Sequence, residues 1–110
     1  MSAIRSSGVR VSHGSWVVFV AHSDGSVGRL IVALGRKAGG AVTRSRIRRI
    51  ARDLVRPLRD AIARLDILLL ARDNVALEPR RAIRRTLRTL IERGGHALTR
   101  RQPSRMDVGG

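Results

Sequence analysis

The chain of 110 residues is 43% hydrophobic, which predicts a single folded domain and leaves little room for a second core. Its 23 basic and 8 acidic residues give a formal net charge of +15; proteins usually tolerate such self-repulsion because a polyanion neutralises it, so nucleic acid is the expected partner. The absence of cysteine excludes disulfides and thiolate metal sites, and no apolar run approaches the ~20 residues of a membrane-spanning helix, so we expect a cytoplasmic protein that does not enter a membrane.

The N-terminal part of the chain predicts β-strands. Residues 9–11 can begin a strand, and residues 16–21 are a continuous run of β-branched, aromatic and small apolar residues. Residues 23–26 have the composition of a turn, and residues 28–34 form another short apolar stretch. We therefore predict a hairpin in which residues 16–21 pair with residues 28–34.

A glycine-rich basic loop, residues 35–40, precedes a change from strand to helix periodicity. Apolar side chains over residues 47–65 fall within about 60° of one direction, which predicts one amphipathic helix of roughly five turns. Pro57 lacks the amide that a helix interior needs and should kink this helix. The arginines occupy the far side of the helix and its N-terminal flank: Arg44, Arg46, Arg48, Arg49, Arg52, Arg56 and Arg59.

The remainder of the chain predicts a buried strand, a second helix and a tail. Residues 65–71 are short and uniformly apolar, as is typical of a buried strand. Pro79 suits the first turn of a second amphipathic helix, and the glycine pair at 94 and 95 is expected to end it. The predicted architecture is one α+β domain over residues 1–93, a two-layer sandwich of a small sheet and two helices, followed by a basic, disordered tail over residues 94–110.

Side chains suited to catalysis or metal binding are not grouped along the chain. The carboxylates include no Asp-x-Asp pair, and the three histidines lack carboxylate or thiolate neighbours at metal-ligand spacing. Gly35 and Gly40 have the spacing of a nucleotide-binding loop, but Ala41 and Val42 stand where Lys and Ser or Thr would bind phosphate and magnesium. We expect no catalytic residue and no protein-bound metal.

The basic segment over residues 36–59 is the candidate binding surface. Its arginines are opposed only by Asp53 and Asp60, whereas an ordinary solvated face mixes charges of both signs. Only one of the 23 basic residues is a lysine, and the planar guanidinium of arginine binds phosphate through two hydrogen bonds. A GC-rich genome is an equally good explanation of the arginine excess, but it does not explain the net charge. Trp16 and Phe19 should point to opposite sides of a strand, so at most one of them is available to stack on a base.

Residues 29–52 resemble the signature region of the bacterial ribonuclease P protein subunit. Arg36, Lys37 and Gly39 resemble its basic loop, and the run from Arg44 to Arg49 resembles its Arg-Asn-Arg core followed by one apolar and two basic residues. The similarity extends over most of residues 8–93. The resemblance implies an α+β fold with a left-handed βαβ crossover, which is also found in a ribosomal protein domain.

The same resemblance implies a role as the RNA-binding protein of a ribonucleoprotein. The protein would bind the catalytic RNA and help it bind precursor tRNA and the metal ions for 5′ leader removal, with Mg²⁺ acting through the RNA and with no obligate protein partner. A cleft between the sheet and the first helix would hold the leader, with Trp16 or Phe19 on the sheet face. The residues that it assigns to RNA contact are Arg36, Lys37, Gly39, Arg44, Ser45, Arg46, Arg48, Arg49 and Arg52.

Two departures from the family pattern leave alternatives open. Ser45 replaces the usual Asn or His, a larger hydrogen-bonding side chain. The family also has a helix before the position of Gly8, where this chain has residues 1–7, so either the start is misassigned or the subunit is divergent. A general structured-RNA-binding or ribosome-associated protein that has lost leader recognition is the alternative. A DNA-binding protein is less favoured, because no helix-turn-helix pair or dimerising heptad is evident.

Overall fold

The computed structural model of the protein describes residues 8–25 and 27–100, which form a four-stranded sheet and two α-helices. The strands are β1 (Val9–His13), β2 (Trp16–His22), β3 (Leu30–Ala33) and β4 (Leu65–Ala71), and the helices are α1 (Ala41–Val55) and α2 (Arg80–Arg100). Short 3-10 turns at Arg36–Ala38 and Arg56–Leu58 flank α1. The α+β class predicted from the sequence is confirmed. Within the described residues, neither helix combines the length and apolar content needed to cross a membrane.

The sheet has the strand order β1-β2-β4-β3. Strands β1 and β2 form an antiparallel hairpin, β4 runs antiparallel to β2, and β3 runs parallel to β4, so β3, α1 and β4 make a parallel βαβ unit. The hairpin predicted between residues 16–21 and 28–34 is wrong, because β4 lies between these two strands. The physical reason is that β4 is apolar on both faces, and such a strand is buried only in the middle of a sheet.

One face of the sheet packs against both helices and forms the main core. Alternate residues of β2 and β4 contribute Val18, Val20, Ile67 and Leu69, all at most 1% exposed. The apolar stripes of the helices cover them, with Ile47, Ile50 and Leu54 from α1 and Ile83, Leu87, Leu90 and Ile91 from α2. The arginines between these apolar positions are consequently held on the outer surface of each helix.

Both helices end at different places from those predicted. Helix α1 ends at Val55, and Pro57 lies in the following 3-10 turn, so the proline marks a helix end instead of a kink within a longer helix. Helix α2 continues through Gly94 to Arg100, so the prediction that a glycine pair ends it is wrong. Gly94 is buried, and a Cβ there would lie 2.4 Å from Cγ2 of Val20, so this glycine permits close helix–sheet packing. Residues 94–100 therefore belong to the domain, whereas residues 101–110 and 1–7 lie outside the described residues.

Candidate nucleic-acid interface

A sharp glycine turn positions the start of α1 at the end of β3. Gly39 has a φ of 142°, a conformation that other residues rarely adopt, and a Cβ there would lie 2.8 Å from Cγ2 of Thr43. Gly40 is the N-cap of α1 and provides no side-chain cap. The backbone N–H groups of the first turn of α1 therefore have no capping side chain. This turn is open to solvent, since Ala41 is exposed and Val42 is 85% exposed.

The predicted RNA-contact residues of α1 lie along its outer surface. Arg49, Arg52 and Ser45 are exposed, and Arg44, Arg46 and Arg48 are half-buried. A shallow depression over the first turns of the helix brings Ser45 together with Arg46 and Arg49, beside Ala41 and Val42. Arg36 and Lys37 lie exposed in the 3-10 turn that precedes the helix, whereas Gly39 is buried and shapes the backbone.

Three of these arginines are held differently from the rest. Nη2 of Arg46 donates hydrogen bonds to the carbonyl oxygens of Ala76 at 3.3 Å and Glu78 at 3.2 Å, so Arg46 ties α1 to the loop before α2. Nε of Arg52 donates to the carbonyl of Arg48 at 3.4 Å. Nε of Arg44 is buried without a hydrogen-bond partner, a rare condition for a charged donor. Arg46 and Arg52 are therefore held by hydrogen bonds to the backbone, whereas Arg44 has a buried N–H group without an acceptor.

Few carboxylates neutralise this surface. Asp53 is the acidic residue of α1, and it forms ion pairs at 3.7 Å with Arg56 and at 3.6 Å with Arg80 of α2. The described residues include no ion pair to any of the five arginines Arg44, Arg46, Arg48, Arg49 and Arg52. The outer side of α1 is therefore a field of uncompensated positive charge, which favours a polyanionic ligand.

The two aromatic residues lie on opposite faces of the sheet, as their strand positions predicted. Trp16 is 1% exposed in the main core, where its Nε1 donates a hydrogen bond to Oε1 of Glu78 at 2.9 Å. The prediction that Trp16 could contact the leader on the sheet face is therefore wrong, because its ring is packed in the core and its N–H group already donates to Glu78. Phe19 lies half-buried on the other face and packs against the buried residues Ala21 and Leu68.

A second basic feature, which the sequence analysis missed, lies where β3 meets the C-terminal end of α1. Arg29, Arg52, Arg56 and Arg59 surround a groove with an apolar floor formed in part by Leu30, Val55, Ile62 and Leu65. The buried Asp66 accepts a hydrogen bond from the backbone amide of Arg29 at 3.0 Å and one from its guanidinium at 3.3 Å. Arg29 and Asp66 are 37 positions apart in the chain. The one feature of the sequence that could have indicated this contact is the presence of a carboxylate, Asp66, inside an apolar strand.

Side chains that could bind a metal are not clustered among the described residues. Among residues 8–25 and 27–100, no three His, Cys, Asp or Glu side chains come together in a way that could hold a metal ion. The side chains that do converge are arginines, which have no free lone pair for a metal and repel a dication. The surface is suited to binding anions by charge and hydrogen bonding.

Comparisons with known proteins agree with the fold. A family model described as Ribonuclease P matches residues 2–95. The solved RNase P protein of Staphylococcus aureus is similar in structure with a TM-score of 0.74 and 24% identity, over 83% of this chain and 84% of that chain. The RNase P protein of Thermotoga maritima, in complex with 1-(4-fluorophenyl)-2-thiourea, has a TM-score of 0.72 and 24% identity over 84% of this chain and 91% of that chain. No curated protein sequence gives a match.

Proposed function

The chain belongs to the bacterial ribonuclease P protein family, and from that premise we propose that the outer surface of α1 binds the catalytic RNA and that the complex removes the 5′ leader of precursor tRNA. The observation that carries the proposal is the row of α1 arginines without carboxylate partners, beside an uncapped helix start. Guanidinium groups bind phosphate in bidentate pairs, and the first amides of a helix favour anions.

The individual side chains have different parts in this binding. Arg48, Arg49 and Arg52 contribute positive charge for RNA phosphates. Arg46 keeps the loop before α2 against the helix while its remaining donors stay available, because a guanidinium has five N–H groups. An RNA oxygen satisfies the unpaired Nε of Arg44 after a small rearrangement of that side chain. Ser45 supplies a short hydroxyl in the depression that it shares with Arg46 and Arg49.

Precursor tRNA is proposed to contact a different part of the protein. The sheet face that carries Phe19 is apolar and the ring is partly exposed there, which suits stacking of an unpaired leader base. It lies on the side of the sheet opposite the two helices. The catalytic Mg²⁺ ions are held by the RNA in this proposal, because the converging protein side chains are cationic, and the protein lowers the repulsion between the two RNA molecules.

A processing assay tests the proposal. The protein with its cognate catalytic RNA should cleave precursor tRNA at low magnesium faster than the RNA alone. The triple variant Arg48→Gln, Arg49→Gln and Arg52→Gln should bind the RNA more weakly, and its plot of log K against log salt should be shallower by about 2 to 3, at ~0.9 per phosphate contact. A matched control removes the same charge elsewhere, at the exposed Arg64, Arg93 and Arg100.

Two results would contradict the proposal. One is RNA binding by the wild-type protein without any gain in cleavage, which is the behaviour of a general RNA-binding protein with this fold. The other is an α1 triple variant that binds as the control does. Phe19→Ala tests the leader contact separately, since it should reduce the preference for precursor over mature tRNA while leaving affinity for the catalytic RNA unchanged.

A further inference from the structure

The N-terminal half of α2 carries a second concentration of arginine that the proposed function does not use. Arg80, Arg81, Arg84, Arg85 and Arg88 lie within its first three turns, and the first turn has no acidic residue. Arg80 pairs with Asp53 and Arg88 pairs with Glu92 at 3.7 Å, whereas Arg81, Arg84 and Arg85 have no ion-pair partner among the described residues. These three exposed residues are called the α2 arginine flank.

The α2 arginine flank is one continuous strip of the helix surface. At 3.6 residues per turn its members span about 100° of the helix circumference. The buried residues Ile83 and Leu87 point away from it, into the core. The strip contains no large apolar side chain, so it lacks the apolar face with which a helix enters a membrane surface.

Two contacts place this flank beside the RNA-binding surface of α1. The ion pair between Arg80 and Asp53, at 3.6 Å, joins the first turn of α2 to the last turns of α1. The hydrogen bond from Arg46 to the carbonyl of Glu78, at 3.2 Å, joins the residue just before α2 to the second turn of α1. Arg84 is one turn beyond Arg80 on the same side of α2. The two sets of arginines therefore lie next to each other, with Asp53 between them.

The location of these charges is unfavourable in the isolated protein. The N-terminal end of a helix carries partial positive charge, so proteins usually place Asp or Glu in the first turns and Arg or Lys in the last. The first turns of α2 carry arginines and no acid, and the first turn of α1 also lacks an acid. A polyanion bound across both helix starts would neutralise the side chains and the helix dipoles together.

We propose that the α2 arginine flank is a second contact surface for the catalytic RNA, and that it binds phosphates of a segment next to the one held by α1. This inference rests on the proposed function. The catalytic RNA is favoured over precursor tRNA because the flank lies next to the α1 surface and across the sheet from Phe19. The flank binds backbone phosphates, so it adds affinity without base specificity.

Salt-dependent binding tests the inference. The triple variant Arg81→Gln, Arg84→Gln and Arg85→Gln should bind the catalytic RNA at least about tenfold more weakly at moderate salt, with a plot of log K against log salt shallower by about 2 to 3. The control with glutamine at Arg64, Arg93 and Arg100 loses the same charge, so it reports the long-range effect alone. All six side chains are exposed, so circular dichroism should show an unchanged fold.

Cleavage mapping gives a second, independent readout. Because the chain has no cysteine, a hydroxyl-radical probe can be attached at one engineered position, Ala82→Cys on α2, Val42→Cys on α1 or His96→Cys as the remote control. Probes at 82 and 42 should cut neighbouring nucleotides of the catalytic RNA, and the probe at 96 should not cut there. Cuts from position 82 only in precursor tRNA, or none in either RNA, would overturn the inference.

The two levels of the proposal can fail separately. If the wild-type protein does not bind the catalytic RNA, the proposed function and this inference both fail. If the wild type binds and the α1 triple variant is weakened, but the α2 triple variant matches the control, then the proposed function stands and this inference alone is refuted.

Discussion

Two adjacent glycines of α2 should respond in opposite ways to alanine. A Cβ on Gly94 would lie 2.4 Å from Cγ2 and 3.2 Å from Cβ of Val20, whereas a Cβ on Gly95 would meet nothing within 4 Å. Both glycines lie inside the helix, so each substitution gains about 1 kcal/mol of helix propensity. The difference between the two variants in free energy of unfolding therefore measures the cost of the clash between a Cβ at position 94 and Val20.

The size of that steric term follows from the neighbour that must move. Val20 is completely buried in a strand that is paired on both sides, and its branched side chain has little rotational freedom. Forcing an extra methyl group into such a core costs about 1–3 kcal/mol. Gly94→Ala should then range from neutral to about 2 kcal/mol less stable than wild type, and Gly95→Ala should be up to about 1 kcal/mol more stable.

Unfolding by urea and by heat measures this difference, with helix circular dichroism and the fluorescence of the buried Trp16 as probes. Since 1 kcal/mol shifts the Tm of a small domain by about 4–8 °C, Gly94→Ala should melt at least ~4 °C below Gly95→Ala. Equal stabilities, or a more stable Gly94→Ala, would refute the close helix–sheet packing described for α2. A loss of helix in both variants would refute the continuation of α2 to Arg100.

Three further predictions follow from contacts described above. Asp66→Ala should cost about 1–3 kcal/mol of unfolding free energy, because it leaves the backbone amide of Arg29 without its acceptor. Arg29→Ala removes the guanidinium partner of the buried Asp66 but keeps that backbone hydrogen bond, so it should cost less than Asp66→Ala in the same urea titration. Glu78→Ala should cost about 1–3 kcal/mol and alter the emission of Trp16, and unchanged emission would contradict the hydrogen bond between them. Ser45→Asn should tighten binding to the catalytic RNA at unchanged stability, and unchanged binding would contradict its placement in the interface.

Local patterns predicted the elements well, and pairing over distance was where prediction failed. The strand at residues 65–71 has the predicted bounds, and the strand predicted at 16–21 extends by one residue. The turn composition of residues 23–26 favoured a hairpin, but a turn reports only on its neighbours. The hairpin does not form because β4 is buried on both faces and takes the place next to β2. That burial depends on which elements pack around β4 after the chain has folded.

In the candidate site, too, local features could be predicted from the sequence and long-range contacts could not. The arginine surface of α1 follows from helix periodicity, so it could be predicted with its members in order. The links that organise that surface join residues far apart in sequence: Arg46 to the loop before α2, Arg80 to Asp53, and Asp66 to Arg29. Trp16 and Phe19 show the same limit, since alternation separates the two rings but does not say which face the helices cover.

The central position of β4 also sets the order in which the protein can be completed during synthesis. The β1–β2 hairpin uses neighbouring residues and can form early, but β3 has β4 as its hydrogen-bonded neighbour in the sheet. Until Ala71 has emerged, β2 and β3 each keep an unpaired edge of the kind that promotes misassembly. Helix α1 is made before the strand that holds the βαβ unit together, so its arginines reach their final arrangement only after most of the domain has been translated.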